Sequence, residues 1–145
     1  MYKQLPVEKQ RERAFVLPGK YGLLINGVID CLAQDAGGQW QLVDYKTGRP
    51  PTAGKNIDGY YYQLAIYKEA CRQLWGIDVT SAKLHFLQDL TAVALPTDRD
   101  YLQAAYALCE EMAQHRDEQD FPCKQAQKDV AGCAYCPYNY LCTQK

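Results

Sequence analysis

An α/β or α+β fold, in which helices flank a central mixed β-sheet, is predicted by three features of the sequence. Short runs rich in branched and aromatic residues recur along the chain, and such residues favour strands. One longer segment carries apolar residues at three- and four-residue spacing, which indicates an amphipathic helix. The predicted elements follow one another as three strands, a helix, two strands and a helix. This order suits a mixed sheet flanked by helices.

The first three strands precede the long helix. Residues 8–17 are predicted to form a strand that ends at Pro18-Gly19. Two apolar runs, Leu23–Ile29 and Trp40–Val43, are separated by the turn signal of residues 35–39 and predict an antiparallel hairpin. Residues 49–55 contain two consecutive prolines, which cannot continue a ladder, and predict a loop.

A helix over residues 57–75 is predicted from one apolar stripe and from Gly76, a typical helix stop. Two short strands, Ala82–Leu87 and Thr91–Leu95, follow, and then a second helix over residues 97–115. Asp100 can complement the first turn of that helix. The residues expected to face inward are Tyr60, Leu64, Tyr67, Cys71 and Leu74 in the first helix, and Leu102, Ala105, Leu108, Cys109 and Met112 in the second.

The bulk composition is that of a soluble globular domain. With 145 residues, of which 48% are hydrophobic and 23% charged, the chain fits one domain with a sizeable core. It has no run of about 18 apolar residues and no signal-peptide core at its start, so we expect a cytoplasmic protein without membrane association. The net charge of −1 gives no global attraction to nucleic acid, although residues 1–60 carry eight Lys/Arg against six Asp/Glu.

The ends of the two hairpin strands carry ionisable residues, namely Asp30 and the segment Asp44-Tyr45-Lys46. Because alternate side chains of a strand share a face, Asp44 and Lys46 point the same way, and the hairpin can bring Asp30 beside them. Two carboxylates and the Tyr45 backbone carbonyl make an oxygen-rich site suited to Mg²⁺ or Mn²⁺. A nearby ammonium can orient a water and stabilise negative charge on a phosphate. The alternative is that these residues are solvated surface groups.

Four motifs occur in a specific order. They are Gly27-x-Ile29-Asp30, then Val-Asp-Tyr-Lys-Thr-Gly at residues 43–48, then Gln63-x-x-x-Tyr67, and last Cys133-x-x-Cys136 with Cys142. This order resembles the RecB-like branch of the PD-(D/E)XK nuclease superfamily, which includes the nuclease domains of bacterial helicase–nucleases and the Cas4-type exonucleases. The resemblance runs from about residue 8 to residue 142. It implies a restriction-endonuclease-like core with the metal site on adjoining strands.

The resemblance also implies roles for single residues. Asp30, Asp44 and the carbonyl of Tyr45 would hold Mg²⁺ or Mn²⁺, and Lys46 would hold or activate the attacking water. The family's upstream helix, which often supplies a His or Glu to the metal site, has no match in this sequence. We therefore expect either a fragment of a longer protein or a member that lacks this group.

Gln63 and Tyr67 lie four residues apart and share one face of the predicted helix. In the resembled family the matching pair contacts DNA or positions the catalytic residues; the alternative is that both are packing residues. Tyr60, one turn earlier, is expected to belong to the core. Weak candidates for contacts with DNA phosphates are Arg49, Lys55 and Lys20.

Seven cysteines, an odd number without a signal peptide, argue against a secreted disulfide framework. Three of them lie in apolar settings and are expected to be buried thiols. They are Cys31, Cys71 and Cys109.

The remaining cysteines crowd into the C-terminal tail. Cys133, Cys136 and Cys142 offer three thiolates, one fewer than a [4Fe–4S] cluster or a zinc ion normally takes. The resemblance implies a structural [4Fe–4S] cluster whose fourth cysteine lies upstream of the nuclease core. Cys123 is the nearest substitute in this chain, and zinc or free thiols are the alternatives.

The combined expectation is a Mg²⁺- or Mn²⁺-dependent deoxyribonuclease, an exonuclease of DNA repair or recombination that forms the C-terminal module of a helicase–nuclease. Residues 1–120 would form the nuclease core, and residues 121–145 a Cys-rich clasp of the same domain. The expected partners are DNA and a helicase domain or subunit. Two alternatives stay open: an inactive nuclease-fold module that binds DNA or acts as a scaffold, and an interaction module centred on zinc or a cluster.

Overall fold

A computed structural model of the chain describes residues 8–51 and 57–115. In chain order the elements are β1 (Glu8–Pro18), a 3₁₀ turn (Lys20–Gly22), β2 (Leu24–Gln34), β3 (Trp40–Lys46), α1 (Asp58–Trp75), β4 (Val79–Phe86), β5 (Thr91–Ala94) and α2 (Tyr101–Gln114). This order confirms the predicted succession of strands and helices. The strands run further than expected at several ends, and β2 continues through Asp30 to Gln34. In the described part no helix is long and apolar enough to cross a membrane.

The sheet has five strands in the order β1-β2-β3-β4-β5 and is mixed, as predicted. The hairpins β1–β2, β2–β3 and β4–β5 are antiparallel, whereas β3 and β4 are parallel. Parallel neighbours need a crossover connection, and α1 supplies it with 18 residues that pack over one face of the sheet. The carboxyl end of β3 thus leads directly towards the start of the helix that covers it.

The core lies between α1 and this face of the sheet. Its fully buried members include Leu17, Ile29, Leu32, Leu42, Leu64, Cys71, Leu84 and Phe86. Of the predicted stripe of α1, Leu64, Tyr67 and Cys71 are buried, but Tyr60 and Leu74 are 37% and 38% exposed. The expectation that these two belong to the core is wrong. At the last turn Trp75 packs on the core instead, with the Arg13 guanidinium 3.5 Å from the centre of its ring.

Within the part of the chain that the structure describes, the second helix packs on the core through its first turns. Tyr101 and Ala105 are buried, and the Tyr101 ring meets that of Tyr61 edge-on at 5.1 Å. Leu108 and Met112 are 42% and 69% exposed, so the expected inward stripe ends after two turns. Asp100 caps the helix, because its carboxylate accepts a 2.9 Å hydrogen bond from the backbone N–H of Gln103.

The hairpin β1–β2 changes its facing pattern in the middle. Ile29 and Leu32 are both fully buried although they lie three residues apart, so the alternation of β2 shifts between them. Opposite this point Glu12 has a positive φ of 51° inside β1, between the pairs Arg11↔Cys31 and Arg13↔Ile29. The strand β1 therefore bends at Glu12, opposite Asp30.

The bend also marks the place where β2 leaves β3. The last pair of these two strands is Cys31↔Val43, whereas β3 runs on beside β4 to the pair Lys46↔Phe86. Between Leu24 and Asp30, β1 is the only neighbour of β2 among the described strands. The sheet consequently forks at the residues Asp30 and Asp44, and a fork of this kind exposes backbone groups that need other partners.

Candidate active site

The side chain of Asp30 connects β2 to β3 at the fork. Its Oδ2 accepts a 2.8 Å hydrogen bond from the backbone N–H of Tyr45, a donor that can no longer pair with β2. A side chain thereby replaces a ladder hydrogen bond, and the Asp30 carboxylate is tied to β3 one residue from Asp44. The hairpin does bring Asp30 beside the β3 segment, as the sequence predicts.

Asp44 lies inside the fork and is only 3% exposed. Its Oδ2 is 2.7 Å from Nζ of Lys46, which makes an ion pair. Among the described residues Lys46 is the only partner of this oxygen. Burial raises the pKa of Asp44, the charge of Asp30 adds to the rise, and Lys46 opposes it. A further cation between the two carboxylates would also favour the ionised form of Asp44.

Lys46 carries three contacts that hold its ammonium. Besides Asp44, Nζ donates a 2.8 Å hydrogen bond to Oε1 of Gln63. It also lies 4.7 Å from the centre of the Tyr60 ring, within the range of a cation–π interaction. The side chain keeps 20% of its surface exposed, so the ammonium is positioned yet accessible.

The contacts of Lys46 extend into α1. Nε2 of Gln63 donates a 2.9 Å hydrogen bond to the hydroxyl of Tyr67, which also hydrogen-bonds the backbone of Val28. Burial raises the pKa of Tyr67, and these hydrogen bonds oppose the rise. The two ends of the Gln63 amide are thus assigned, its oxygen towards Lys46 and its nitrogen towards Tyr67.

Gly27 explains why Tyr67 can reach β2. A Cβ at this position would lie 2.8 Å from Cε1 of Phe15 and 3.1 Å from Cε1 of Tyr67. The two rings meet edge-on at 5.5 Å between their centres. Only glycine leaves room for both rings against the strand, so this glycine sets the position of the hydrogen-bonded chain Tyr67–Gln63–Lys46.

The structure therefore brings together Asp30, Asp44, Lys46, Gln63 and Tyr67. Tyr60 also contacts this group through Lys46, although its place in the apolar stripe predicts a core residue. Its position one turn before Gln63 on the same helical face is the sequence feature that indicates this contact.

The basic candidates lie elsewhere. Lys20 is exposed in the turn between β1 and β2. Leu24, where β2 begins, is six residues before Asp30, which at the rise of a strand is about 20 Å away. Arg49 is exposed after β3, and Lys55 lies outside the described residues.

Of the cysteines, Cys31 and Cys71 are buried free thiols, as expected, whereas Cys109 is half-buried. Burial raises the pKa of Cys71 to about 11, so this thiol is inert at neutral pH. The predicted cluster ligands Cys123, Cys133, Cys136 and Cys142 lie outside the described residues.

Comparison with protein families gives one match that covers nearly the whole chain. The sequence model of the PD-(D/E)XK nuclease superfamily matches residues 2–143. The chain belongs to this superfamily. The segment Asp44-Tyr45-Lys46 has the form (D/E)-X-K that gives the superfamily its name.

Two relatives of this PD-(D/E)XK chain are named as ATP-dependent helicase/nuclease subunits. The protein from Lysinibacillus sphaericus (strain C3-41) is 36% identical over 74 residues, which are 46% of this chain and 6% of the relative. The protein from Oceanobacillus iheyensis is 36% identical over 80 residues, 51% of this chain and 6% of the relative. The expected likeness to RecB-like nuclease domains is confirmed, and the chain matches only a small part of these relatives.

The PD-(D/E)XK fold is supported by a solved structure. The crystal structure of SSO0001 superposes with a TM-score of 0.63 at 18% identity, over 94% of this chain and 61% of that one. This likeness confirms the predicted restriction-endonuclease-like core, a mixed five-stranded sheet with helices packed on it.

PD-(D/E)XK nucleases generally use divalent metal ions, and the residues at the fork suit such an ion. Two carboxylates and a backbone carbonyl are hard oxygen ligands of the type that Mg²⁺ and Mn²⁺ prefer. The buried Oδ2 of Asp44, whose described partner is Lys46, is an atom that a metal ion could bind. Among the described residues no three His, Cys, Asp or Glu side chains form a metal-binding group.

Proposed function

We propose that this PD-(D/E)XK nuclease is a Mg²⁺- or Mn²⁺-dependent deoxyribonuclease with its active site at the fork between β2 and β3. The observation that carries the proposal is the buried Asp44 carboxylate, which lies near Asp30 and is paired with a lysine that is still accessible. Burial and the charge of Asp30 both disfavour the ionised form of Asp44, and Lys46 opposes them. A bound metal cation would offset this cost further.

Asp30, Asp44 and the Tyr45 carbonyl would hold the metal ion. When bound, such an ion lowers the pKa of a coordinated water and withdraws charge from a phosphoryl oxygen. The Tyr45 carbonyl belongs to the residue whose N–H binds Asp30, so one hydrogen bond fixes two of the three ligands relative to each other.

Lys46 is the residue that acts on the water and the phosphate. Its ammonium donates to Gln63 and faces Asp44, so it is held at one position with hydrogen atoms left for a water or a non-bridging phosphate oxygen. Positive charge placed there stabilises the negative charge that develops as the phosphodiester is attacked in line. Gln63 and Tyr67 position Lys46 without contacting the reacting atoms.

The biological setting is also proposed. The relatives are named as ATP-dependent helicase/nuclease subunits, and the chain matches 6% of their length. These names support a nuclease module that works with a helicase domain or subunit. We propose in addition that it is cytoplasmic and acts as an exonuclease in DNA repair or recombination. Residues 1–120 would be the nuclease core and residues 121–145 its C-terminal clasp.

A [4Fe–4S] cluster on Cys133, Cys136 and Cys142, with a fourth cysteine upstream or Cys123, is proposed as a structural clasp. Its thiolates are spaced as expected for soft-metal ligands. Iron and sulfide analysis of anaerobically purified protein, together with its visible absorption, tests this assignment. If the analysis finds zinc instead of iron and sulfide, the clasp binds a zinc ion and not a cluster.

The test of the nuclease is cleavage of end-labelled single- and double-stranded DNA with Mg²⁺, Mn²⁺ or EDTA. We expect cleavage only with a divalent ion, and its loss in Asp44→Ala and in Lys46→Ala. The matched control is Lys68→Ala, which removes another half-buried lysine, on α1. Circular dichroism of each variant shows whether folding is retained.

Metal-dependent cleavage that Lys46→Ala leaves unchanged would refute the assigned site. A wild-type protein that binds Mg²⁺ in calorimetry, binds DNA and cuts nothing would instead be an inactive DNA-binding module. The labelled end at which products accumulate distinguishes exonuclease from endonuclease action and gives the polarity.

A further inference from the structure

A cleft of about 490 Å³ opens beside the fork, lined by Arg11, Glu12, Asp30 and Tyr45. It shares Asp30 with the proposed metal site, but its other three side chains have no part in the chemistry described above. Its volume lies in the range of pockets that hold small organic molecules. The bend in β1 at Glu12, where φ is 51°, forms one of its walls.

Tyr45 gives the cleft an aromatic wall. The side chain is 41% exposed, an unusual state for a large ring in the middle of a sheet. One side of the ring leans on His85 of the neighbouring strand, with 5.8 Å between ring centres and 35° between planes. The peptide of Tyr45 is fixed by Asp30, so the ring is held by both its neighbour and its backbone.

The charges in the cleft select the kind of ligand. The cleft contains one guanidinium, that of Arg11, and two carboxylates, those of Glu12 and Asp30. A phosphate in the cleft would therefore be repelled more than attracted. A neutral heteroaromatic ring with amino groups avoids this repulsion. Its amino hydrogens can be donated to Glu12, its ring acceptors can receive hydrogen bonds from Arg11, and its face can stack on Tyr45.

We propose that this cleft binds one unpaired nucleobase of the DNA, stacked on Tyr45 and held at its amino edge by Glu12. Resting on the proposed nuclease function, the bound base belongs to a nucleotide near the scissile phosphate, because the cleft shares Asp30 with the proposed metal site. A base inside a duplex is stacked and paired, so its face and its amino edge are both occupied. The cleft therefore distinguishes a free or frayed strand from paired DNA.

The proposal predicts a preference among bases. Cytosine carries an exocyclic amino group at N4, whereas thymine carries a carbonyl oxygen at the same position. The Glu12 carboxylate accepts a hydrogen bond from the amino group of cytosine and repels the carbonyl oxygen of thymine. We expect short oligo-dC to bind about fivefold more tightly than oligo-dT of equal length, and Glu12→Ala to remove this difference.

The experiment measures binding of fluorescein-labelled oligo-dC and oligo-dT by anisotropy in EDTA, where no cleavage takes place. Tyr45→Leu removes the ring and is expected to weaken binding about tenfold, whereas Tyr45→Phe keeps the ring and is expected to bind like wild type. A second measurement uses an oligonucleotide with 2-aminopurine at its end. Its fluorescence should be quenched by wild type and by Tyr45→Phe, and not by Tyr45→Leu.

Equal affinity of Tyr45→Leu and wild type, with 2-aminopurine quenched alike by both, would overturn the proposal. So would an equal loss in Tyr45→Phe and Tyr45→Leu, since the hydroxyl rather than the ring would then be responsible. Because these measurements need no hydrolysis, they are independent of the nuclease test. If the protein cuts no DNA but shows the expected binding and quenching results, the base site is supported and the proposed nuclease function is not.

Discussion

Gly27→Ala is the substitution that best tests how the active site is supported. The added methyl group would lie 2.8 Å and 2.9 Å from two carbons of the Phe15 ring and 3.1 Å from Tyr67. Both rings are buried, at 6% and 7% exposure, and neither can swing into solvent. Overpacking of this type costs about 1–3 kcal/mol. Alanine also lowers the conformational entropy of the unfolded chain relative to glycine, which stabilises the folded state by about 0.4–1 kcal/mol.

The net expectation is a loss of about 1–2 kcal/mol in the free energy of unfolding, measured by urea denaturation. For a chain of 145 residues this lowers Tm by about 3–8 °C. DNA cleavage should fall several-fold as well, because Tyr67 must shift and it positions Lys46 through Gln63; a displacement of about 1 Å can cost about 10²-fold in rate.

Gly59→Ala is the matched control. Gly59 lies in the first turn of α1, and a Cβ there would meet nothing within 4 Å. This variant should gain about 0.5–1 kcal/mol and keep full activity. Adding Phe15→Leu to Gly27→Ala should recover part of the loss, since the two positions are in contact. Unchanged stability and cleavage in Gly27→Ala would refute the reasoning.

Three further predictions concern the surroundings of the fork. Tyr60→Leu should lower the single-turnover cleavage rate about two- to fivefold while Tyr60→Phe keeps it, because the ring rather than the hydroxyl faces the Lys46 ammonium. In EDTA, Asp44→Asn should raise Tm relative to wild type more at pH 7 than at pH 4. The raised pKa of Asp44 means that the folded state binds its proton more tightly than the unfolded chain does. Stability present at low pH is therefore lost as pH rises through the folded-state pKa, and the neutral amide escapes this loss. Glu12→Gly should stabilise the metal-free protein by about 0.5–1 kcal/mol in urea denaturation, because glycine adopts a positive φ without strain.

Each of these predictions has an outcome that contradicts it. Equal rates in Tyr60→Leu and wild type would show that the cation–π contact does not position Lys46. A Tm gain of Asp44→Asn that shrinks from pH 4 to pH 7 would reverse the assigned direction of the pKa. For Glu12→Gly the control is Leu90→Gly, at the other non-glycine residue with positive φ among those described; it should stabilise equally and leave oligonucleotide binding unchanged.

The sequence predicts the local parts of this fold well. Two strands with alternating apolar and polar residues, joined by a short turn, can pair in few registers. The apolar stripe of α1 indicates the helix face that packs on the sheet. The strand period of two residues puts Asp44 and Lys46 on one face of β3. The helical period of 3.6 residues puts Gln63 and Tyr67 on one face of α1. Each pair lies within one element, which is why spacing alone suffices.

The features that the sequence does not predict depend on contacts between elements. The helical stripe includes Tyr60 and Leu74, but their neighbours Tyr61 and Trp75 pack on the core at the two ends of α1, so Tyr60 and Leu74 remain partly exposed. The bend at Glu12 has no sequence signal, since neither glycine nor proline occurs there. Surrounding pairs impose its φ, and a strained residue held in this way is typical of functional sites.

The parallel pairing of β3 with β4 has a consequence for the order in which the protein folds. Asp30 and Tyr45 are 15 residues apart, whereas β3 meets β4 across about 40 residues, for example at Asp44↔Leu84. Closing the longer loop costs more chain entropy and depends on the crossover helix that also carries Gln63. The carboxylates thus come together in an early hairpin, and the lysine is held only when the crossover docks. During synthesis on the ribosome, an incomplete chain would carry the proposed metal ligands and Lys46 without the contacts from α1 that position the lysine.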